Sequence, residues 1–180
     1  MKVLVISTSL RANSNSDALA EAFAGGARKA GHEVECISLR GKRIEFCRGC
    51  LACTKTLKCA ITTDDAPAIV QKMHDADAIC FATPIYYYEM SGQMKTLLDR
   101  ANPLYASDYR FRHIYLLTSA AEDAAFVPER AVGGLTGWID CFEHARLAGT
   151  VFAGGVTAPG EIEGHKALQE AYDMGTVVGH

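Results

Sequence analysis

Short apolar runs alternate with helix-like patterns along the whole chain, and this alternation restricts the fold more than any other feature. A continuous apolar run at 3–6 is typical of a strand buried on both faces. The segment at 16–29 places its apolar residues at helical spacing. Because strand–helix–strand units form parallel strands, the pattern predicts an α/β fold with a parallel sheet. The predicted strands are 3–6, 34–39, 78–82, 114–117 and 151–153, and the predicted helices are 16–29, one opened by Asp64 and Asp65, 91–100, 128–147 and 163–172.

The length and charge of the chain point to an ordinary globular protein. A chain of 180 residues suits one domain and can bury enough surface to fold without disulfide bonds. Its net charge is −3 and it has no basic tract, which argues against nucleic acid as a partner. The apolar N-terminal run is too short for a signal peptide, and no apolar stretch approaches the ~20 residues of a membrane span. We therefore expect one domain over 1–180, in the cytoplasm, with no membrane partner.

A cluster of cysteines with the spacing C-x2-C-x2-C-x5-C lies in a loop at 47–59. Thiolates are soft ligands suited to iron–sulfur clusters or zinc. The C-x2-C-x2-C run suits a 4Fe–4S cluster, whereas a structural zinc site usually uses two separated C-x2-C pairs. A cluster, a zinc ion and free thiols all remain open for this loop. The candidate metal ligands are Cys47, Cys50, Cys53 and Cys59, while Cys36, Cys80 and Cys141 are expected to be small buried core residues.

A polar segment at 7–16 follows the first predicted strand. It contains neither G-x-G-x-x-G nor a P-loop sequence, so the usual dinucleotide and nucleotide motifs are absent. Hydroxyl groups and free N–H groups at the start of a helix can bind phosphate, and Arg11 adds a charged donor. A Ser/Asn-rich turn with Ser14 or Ser16 as the helix cap is the alternative.

Two further loops follow predicted strands and should lie near the polar segment. The first begins with Pro84 and contains three tyrosines, a composition that suits a flat heteroaromatic ring or, alternatively, the packing of a loop or a subunit interface. Of the tyrosines, Tyr88 is expected to serve in packing. The second loop, at 118–123, follows the fourth predicted strand. Ligands of such sheets bind beyond the carboxyl ends of the strands, where all three segments begin.

Taken in this order, these segments resemble the flavodoxin-like NAD(P)H-dependent FMN reductases. Segment 7–16 resembles the family's phosphate loop G-S-P-R-x-x-x-N-T, with Thr8 and Leu10 in place of its Gly and Pro. The loop that begins at Pro84 resembles the family's P-V-Y loop. The resemblance implies a flavodoxin-like three-layer sandwich with a five-stranded parallel sheet of order 2-1-3-4-5, with FMN as cofactor and NAD(P)H as co-substrate. The implied FMN-binding residues are Ser9, Arg11, Asn15, Ser16, Pro84, Ile85, Tyr86, Tyr87, Ser119 and Ala120.

The cysteine loop and the Asp64–Asp65 pair resemble the iron–sulfur flavoproteins of this family, in which such cysteines hold a 4Fe–4S cluster near the FMN. The implied function is an FMN-dependent oxidoreductase that passes electrons from NAD(P)H through the flavin to an acceptor such as a flavin or a quinone. The alternative is an electron carrier that receives electrons from ferredoxin through the cluster. No catalytic side chain is expected, because the flavin carries the chemistry. The family's usual assemblies imply a homodimer or homotetramer.

Overall fold

Strands and helices alternate along the chain in the computed structural model, which describes residues 1–180. The strands are β1 (Lys2–Ser7), β2 (Glu33–Ser38), β3 (Ala78–Tyr86), β4 (Glu89–Met90), β5 (His113–Ser119) and β6 (Arg146–Ala153). The helices are α1 (Asn15–Lys29), α2 (Cys53–Thr56), α3 (Ala66–Asp75), α4 (Gly92–Arg100), α5 (Glu129–Ile139) and α6 (Lys166–Thr176), with a 3-10 helix at Asn102–Ala106. None of these helices is both long enough and apolar enough to cross a membrane.

The strands form a parallel sheet in the order β2-β1-β3-β5-β6. The two-residue strand β4 pairs antiparallel with the end of β3 and forms a hairpin with it. When β4 is left out of the numbering, this order is the predicted 2-1-3-4-5. The predicted α/β fold with its parallel sheet is therefore confirmed.

Helices cover both faces of the sheet because successive side chains of its central strands point to opposite sides. Phe81 of β3 lies in an apolar core with residues of α3, α4 and α5. Its neighbour Cys80 lies in a second core, with Phe23 of α1 and Ala171 of α6. The three-layer arrangement follows from this two-sided burial.

The bounds of two predicted elements near the end of the chain are wrong. The helix predicted at 128–147 ends at Ile139, and strand β6 already begins at Arg146. Strand β6 lies at the edge of the sheet, and its first residues alternate between exposed and half-buried positions. The last helix begins at Lys166 instead of 163, where the ring nitrogen Nδ1 of His165 caps it by accepting from the N–H of Ala167 at 3.1 Å.

The cysteines outside the loop do not share one environment. Cys80 in the central strand β3 is buried, as predicted. Cys36 and Cys141 are exposed, so the prediction that they belong to the core is wrong. Cys36 lies on the edge strand β2, and Cys141 follows the end of α5. Apolar neighbours in the sequence therefore did not place either thiol in the interior.

Candidate functional site

The polar loop between β1 and α1 presents backbone N–H groups at a helix start. Ser14 is the helix cap, because its hydroxyl accepts from the N–H of Asp17 at 3.1 Å. Ser9 is buried and its hydroxyl accepts from the N–H of Arg11 at 3.2 Å. Ser16 is buried in the first turn of α1. The N–H groups of Leu10, Ala12, Asn13 and Ser14 make no hydrogen bond within the protein.

The side chain of Asn15 ties this loop to the segment that precedes α6. Its Nδ2 donates to the carbonyl of Ala158 at 3.0 Å, and its Oδ1 accepts from the N–H of Ile162 at 3.3 Å. Arg11 is exposed, and its Nη1 donates to the carbonyl of Thr157 at 2.8 Å. Asn15 therefore positions the loop, whereas Arg11 is a cation at its surface.

The hairpin between β3 and β4 has a tight turn at Tyr87 and Tyr88, whose φ angles are 51° and 66°. Two consecutive left-handed residues are typical of a type I′ hairpin turn, and for tyrosine this backbone is strained. The hydroxyl of Tyr88 donates to Glu122 at 3.0 Å, and its ring lies 5.9 Å from that of Phe126. Tyr87 is 97% exposed, so no packing within the chain explains its aromatic ring.

The three predicted loops lie at neighbouring strand ends. The hydroxyls of Thr8 and Ser91 are 3.0 Å apart and connect the first loop to the start of α4. Pro84 at the end of β3 pairs in register with Ser119 at the end of β5. Of the remaining predicted residues, Ile85 is half-buried, Tyr86 is exposed and Ala120 is buried.

This edge of the sheet fits a phosphate-bearing planar cofactor. Free N–H groups before α1 and the cation of Arg11 suit a phosphate at the positive end of a helix. The exposed backbone and aromatic side chains of the β3–β4 hairpin suit a flat ring. The chemistry of these donors fits FMN.

A buried ion pair connects the two ends of the loop that carries the cysteines. Arg100 donates to both carboxylate oxygens of Asp64, at 2.6 and 3.1 Å, and both side chains are fully buried. Arg100 also donates to the carbonyls of Glu45 at 2.8 Å and Ile61 at 3.0 Å. Burial alone would raise the pKa of Asp64, but hydrogen bonds from Arg100 and from the N–H of Glu45 lower it below its ordinary value.

A cavity of about 610 Å³ lies under the cysteine loop. Trp138 of α5 and Cys141, which follows α5, also line it. Asn102 lies in the wall, and its Nδ2 donates to the sulfur of Cys53 at 2.9 Å. All four loop cysteines line the cavity: Cys53 is buried, Cys59 is half-buried, and Cys47 and Cys50 are exposed.

The donor chemistry of this cavity fits a metal group held by thiolates. The sulfurs nevertheless lie apart, since no three histidine, cysteine, aspartate or glutamate side chains are close enough together to hold a metal ion. Arg100 also lines the cavity, and its Nε is buried without a hydrogen-bond partner.

Sequence reasoning did not identify Arg100 and Asn102 as members of the site. Arginine is usually exposed, so nothing in the local sequence signals a buried one. Both residues are distant in the sequence from their partners: Arg100 lies 36 positions from Asp64, and Asn102 lies 49 positions from Cys53. Only the packed structure brings them together.

Comparison with known proteins gives a family and related sequences. Residues 1–127 match the family model of the NADPH-dependent FMN reductases. An iron–sulfur flavoprotein of Methanocaldococcus jannaschii is 39% identical over 104 residues, which are 58% of this chain and 53% of that protein. An iron–sulfur flavoprotein of Archaeoglobus fulgidus is 38% identical over 113 residues, which are 63% of this chain and 55% of that protein. The chain therefore spans about half the length of these curated relatives.

Solved structures of low sequence identity share the fold. The NAD(P)H:quinone oxidoreductase from Methanothermobacter marburgensis has a TM-score of 0.76 at 19% identity, covering 100% of this chain and 96% of that one. An archaeal flavodoxin has a TM-score of 0.59 at 18% identity, covering 98% and 94%. These likenesses confirm that the fold is flavodoxin-like. Since the family model matches well over half of the chain, the protein belongs to the NADPH-dependent FMN reductase family.

Proposed function

We propose that this chain is an FMN-dependent oxidoreductase that passes electrons from NAD(P)H through bound flavin to a small acceptor such as a flavin or a quinone. The observation that carries the proposal is the row of unpaired N–H groups before α1, beside the cation of Arg11. Membership of the FMN reductase family supports it. So does the name of one structural neighbour, a quinone oxidoreductase.

Each predicted residue has a role in this proposal. Ser9, Arg11 and Ser16 would bind the phosphate, and Asn15 would hold the loop in place through Ala158 and Ile162. Bound FMN would supply the hydride and electron transfer. The protein would orient the ring with the backbone and side chains of Pro84, Ile85, Tyr86, Tyr87, Ser119 and Ala120.

Arg11→Ala tests the phosphate site. The variant loses one charged donor, so FMN should bind about 10- to 100-fold more weakly, since hydrogen bonds to charged groups contribute roughly 1.5–3 kcal/mol. Lys29→Ala is the charge-matched control, because Lys29 lies at the other end of α1. Fluorescence titration of flavin-free protein measures both. Unchanged affinity in Arg11→Ala would refute the assignment of the phosphate site.

The proposed electron donor is tested by anaerobic stopped-flow mixing of the FMN-loaded protein with NADPH and with NADH. Either nicotinamide should bleach the flavin band. If neither does so while reduced ferredoxin reduces the flavin rapidly, the second function below replaces the first.

The second candidate function is an electron carrier that holds a 4Fe–4S cluster and receives electrons from ferredoxin. It is favoured by the single cavity that all four loop cysteines line and by the similarity to iron–sulfur flavoproteins. Because the sulfurs lie apart, the loop would have to close around the cluster. The proposed assembly, a homodimer or homotetramer, is independent of this choice.

Iron and sulfide analysis of anaerobically purified protein tests the cluster. Cys50→Ala should lose most of the iron, because a cluster with an open corner is labile. Cys80→Ala is the control, since Cys80 lies in the core away from the loop and should leave the iron in place. A parent protein without iron would reject the cluster and leave the FMN proposal standing.

A further inference from the structure

The junction between α4 and the 3-10 helix places two N–H donors near the cysteine loop. Nδ2 of Asn102 lies 2.9 Å from the sulfur of Cys53 and donates to it. Arg100, two residues earlier, lines the same cavity as Cys59. Both donors line the same cavity as the sulfurs.

The donor on Arg100 is held in place by the rest of its guanidinium group. Its two Nη atoms are fixed by Asp64 and by the carbonyls of Glu45 and Ile61. The Nε–H therefore cannot turn away, and it is buried without a hydrogen-bond partner. A buried donor without a partner is unfavourable, and a thiol is a weak acceptor. A negatively charged, metal-bound sulfur would be a far better partner for this N–H.

The positive charge of Arg100 at this wall of the cavity is already paired with the carboxylate of Asp64. The carboxylate of Asp64 accepts from both Nη atoms of Arg100 and leaves the Nε–H without a partner. Asn102 is neutral and directs its amide hydrogen at Cys53. The wall therefore places N–H groups near Cys53 and Cys59, and its one carboxylate, that of Asp99, is paired with Lys95 at 2.6 Å.

We propose that Arg100 and Asn102 are positioning residues that donate hydrogen bonds to the sulfurs of Cys59 and Cys53 and stabilise them as thiolate ligands of a metal. The inference rests on the second candidate function and deepens it. Hydrogen bonds from outside the ligand set orient metal ligands and raise metal affinity, and hydrogen bonds to sulfur raise the potential of a cluster. The charged donor thus acts on the last cysteine of the motif and the neutral donor on the third.

Cobalt titration of FMN-loaded, metal-free protein tests this proposal without the cluster or its activity. Thiolate-to-cobalt charge-transfer absorption reports binding of Co²⁺ at the cysteines. Asn102→Leu removes the donor, and Asn102→Asp keeps the shape but places a carboxylate beside Cys53. We expect about 10- to 100-fold weaker Co²⁺ binding for the Leu variant and a larger loss for the Asp variant. Ser107→Ala is the control, because its hydroxyl donates only to the carbonyl of Leu104.

The order of the two Asn102 variants separates hydrogen bonding from packing. If Asn102 served only to fill space, the isosteric Asp would be milder than Leu, and that order would overturn the proposal. Equal affinity in both variants and the parent would also overturn it, as would a parent protein with no thiolate-to-cobalt band. If the parent is purified without iron but binds Co²⁺, the cluster is rejected, whereas the proposed role of Asn102 and Arg100 as hydrogen-bond donors to the sulfurs stands.

A second measurement addresses Arg100 in iron-loaded protein. Arg100→Lys keeps a positive charge near Asp64 but has no Nε–H, so the cluster should become harder to reduce. A tenfold change in the reduction equilibrium, about 59 mV for one electron, is the expected size, with the FMN potential unchanged. An unchanged cluster potential with iron retained, or an equal shift of both potentials, would exclude a specific donor role for Arg100.

Discussion

Two cysteines at the same level of the sheet have opposite environments. Cys36 of β2 and Cys80 of β3 both pair with Val5 of β1, one on each side. Cys36 is exposed on the edge strand, whereas Cys80 is completely buried in the centre. Burial raises the pKa of the Cys80 thiol well above its ordinary value, so Cys80 remains a neutral, small apolar group.

This contrast predicts different costs for the same substitution. Cys80→Ser buries a hydroxyl in an apolar core and should lower the free energy of unfolding by about 1–3 kcal/mol. Cys36→Ser changes an exposed position and should stay within about 0.5 kcal/mol. Urea unfolding under reducing conditions measures both. Equal stability of the two variants would contradict the environment assigned to Cys80.

At the scale of elements, the ion pair of Asp64 and Arg100 joins the cysteine loop to α4. Asp64→Asn keeps the shape but leaves the buried charge of Arg100 without its counter-charge, which should cost about 3–5 kcal/mol. Because the loss is centred on the loop, trypsin should cleave more rapidly at the exposed Arg48 and Lys55. Asp99→Asn is the control, since Asp99 forms only an exposed pair with Lys95. Equal cleavage rates in the two variants would show that the ion pair does not hold the loop.

The end of α3 carries a pH-dependent bridge. Nδ1 of His74 lies 2.8 Å from Asp75 and Nε2 lies 3.0 Å from Asp108. Hydrogen bonding to Asp75, with a further contribution from Asp108, raises the pKa of His74 against the opposing effect of burial. Because the folded pKa is raised, the stabilisation is fully present below the ordinary value near 6.5 and is lost as the pH rises through the folded pKa.

When the pH is raised from 5.5 to 8.5, the melting temperature of the parent should therefore fall further than that of His74→Gln. Gln keeps a polar side chain but cannot gain charge, so its melting temperature should vary less over this range. Parallel melting curves at both pH values measure the difference. The same pH dependence in parent and variant would show that His74 does not contribute through its protonation.

The elements that could be predicted from sequence are those whose local pattern agrees with their packing. The continuous apolar run at 3–6 lies within a central strand, and such strands are buried on both faces. Strand β6 lies at the edge, where three of its eight residues are exposed, and the sequence pattern wrongly predicts helix over its first two residues. Asp64 was correctly placed at a helix start, since it accepts from the N–H of Ala66, but its ion pair with Arg100 is a long-range contact. A contact between residues so distant in the sequence leaves no signal in the local sequence pattern, so it could not be predicted.

At the scale of the whole molecule, the loop before α1 and the cysteine loop are held from opposite faces of the sheet, and only α4 contacts both, through its cap Ser91 and its last residue Arg100. The loop before α1 is tied through Asn15 to the segment before α6, on one face of the sheet. The cysteine loop is held by Arg100 at the end of α4 and lines a cavity together with Trp138 of α5, on the other face. A change confined to the α1–α6 layer should therefore affect FMN binding and spare the metal-binding loop.

Close backbone contact between α1 and α6 provides a test of this separation. A Cβ at Gly26 would collide with the carbonyl oxygen of Tyr172, and a Cβ at Gly175 would collide with the carbonyl oxygen of Phe23. The neighbouring Gly25 is different, because its added Cβ would lie 3.7 Å from the ring of Tyr172, an ordinary contact. Gly26→Ala should therefore force the helices apart, whereas Gly25→Ala fits.

We expect Gly26→Ala to lower the free energy of unfolding by about 1–3 kcal/mol, the usual cost of overpacking. Gly25→Ala should be neutral or stabilising by up to about 1 kcal/mol, because Ala favours the helix over Gly. Since α1 begins at the proposed phosphate loop, Gly26→Ala should also weaken FMN binding, with Co²⁺ binding at the cysteines unchanged. Urea unfolding together with FMN and Co²⁺ titrations measures all three quantities. A loss of Co²⁺ affinity equal to the loss of FMN affinity would mean that the two faces are not independent.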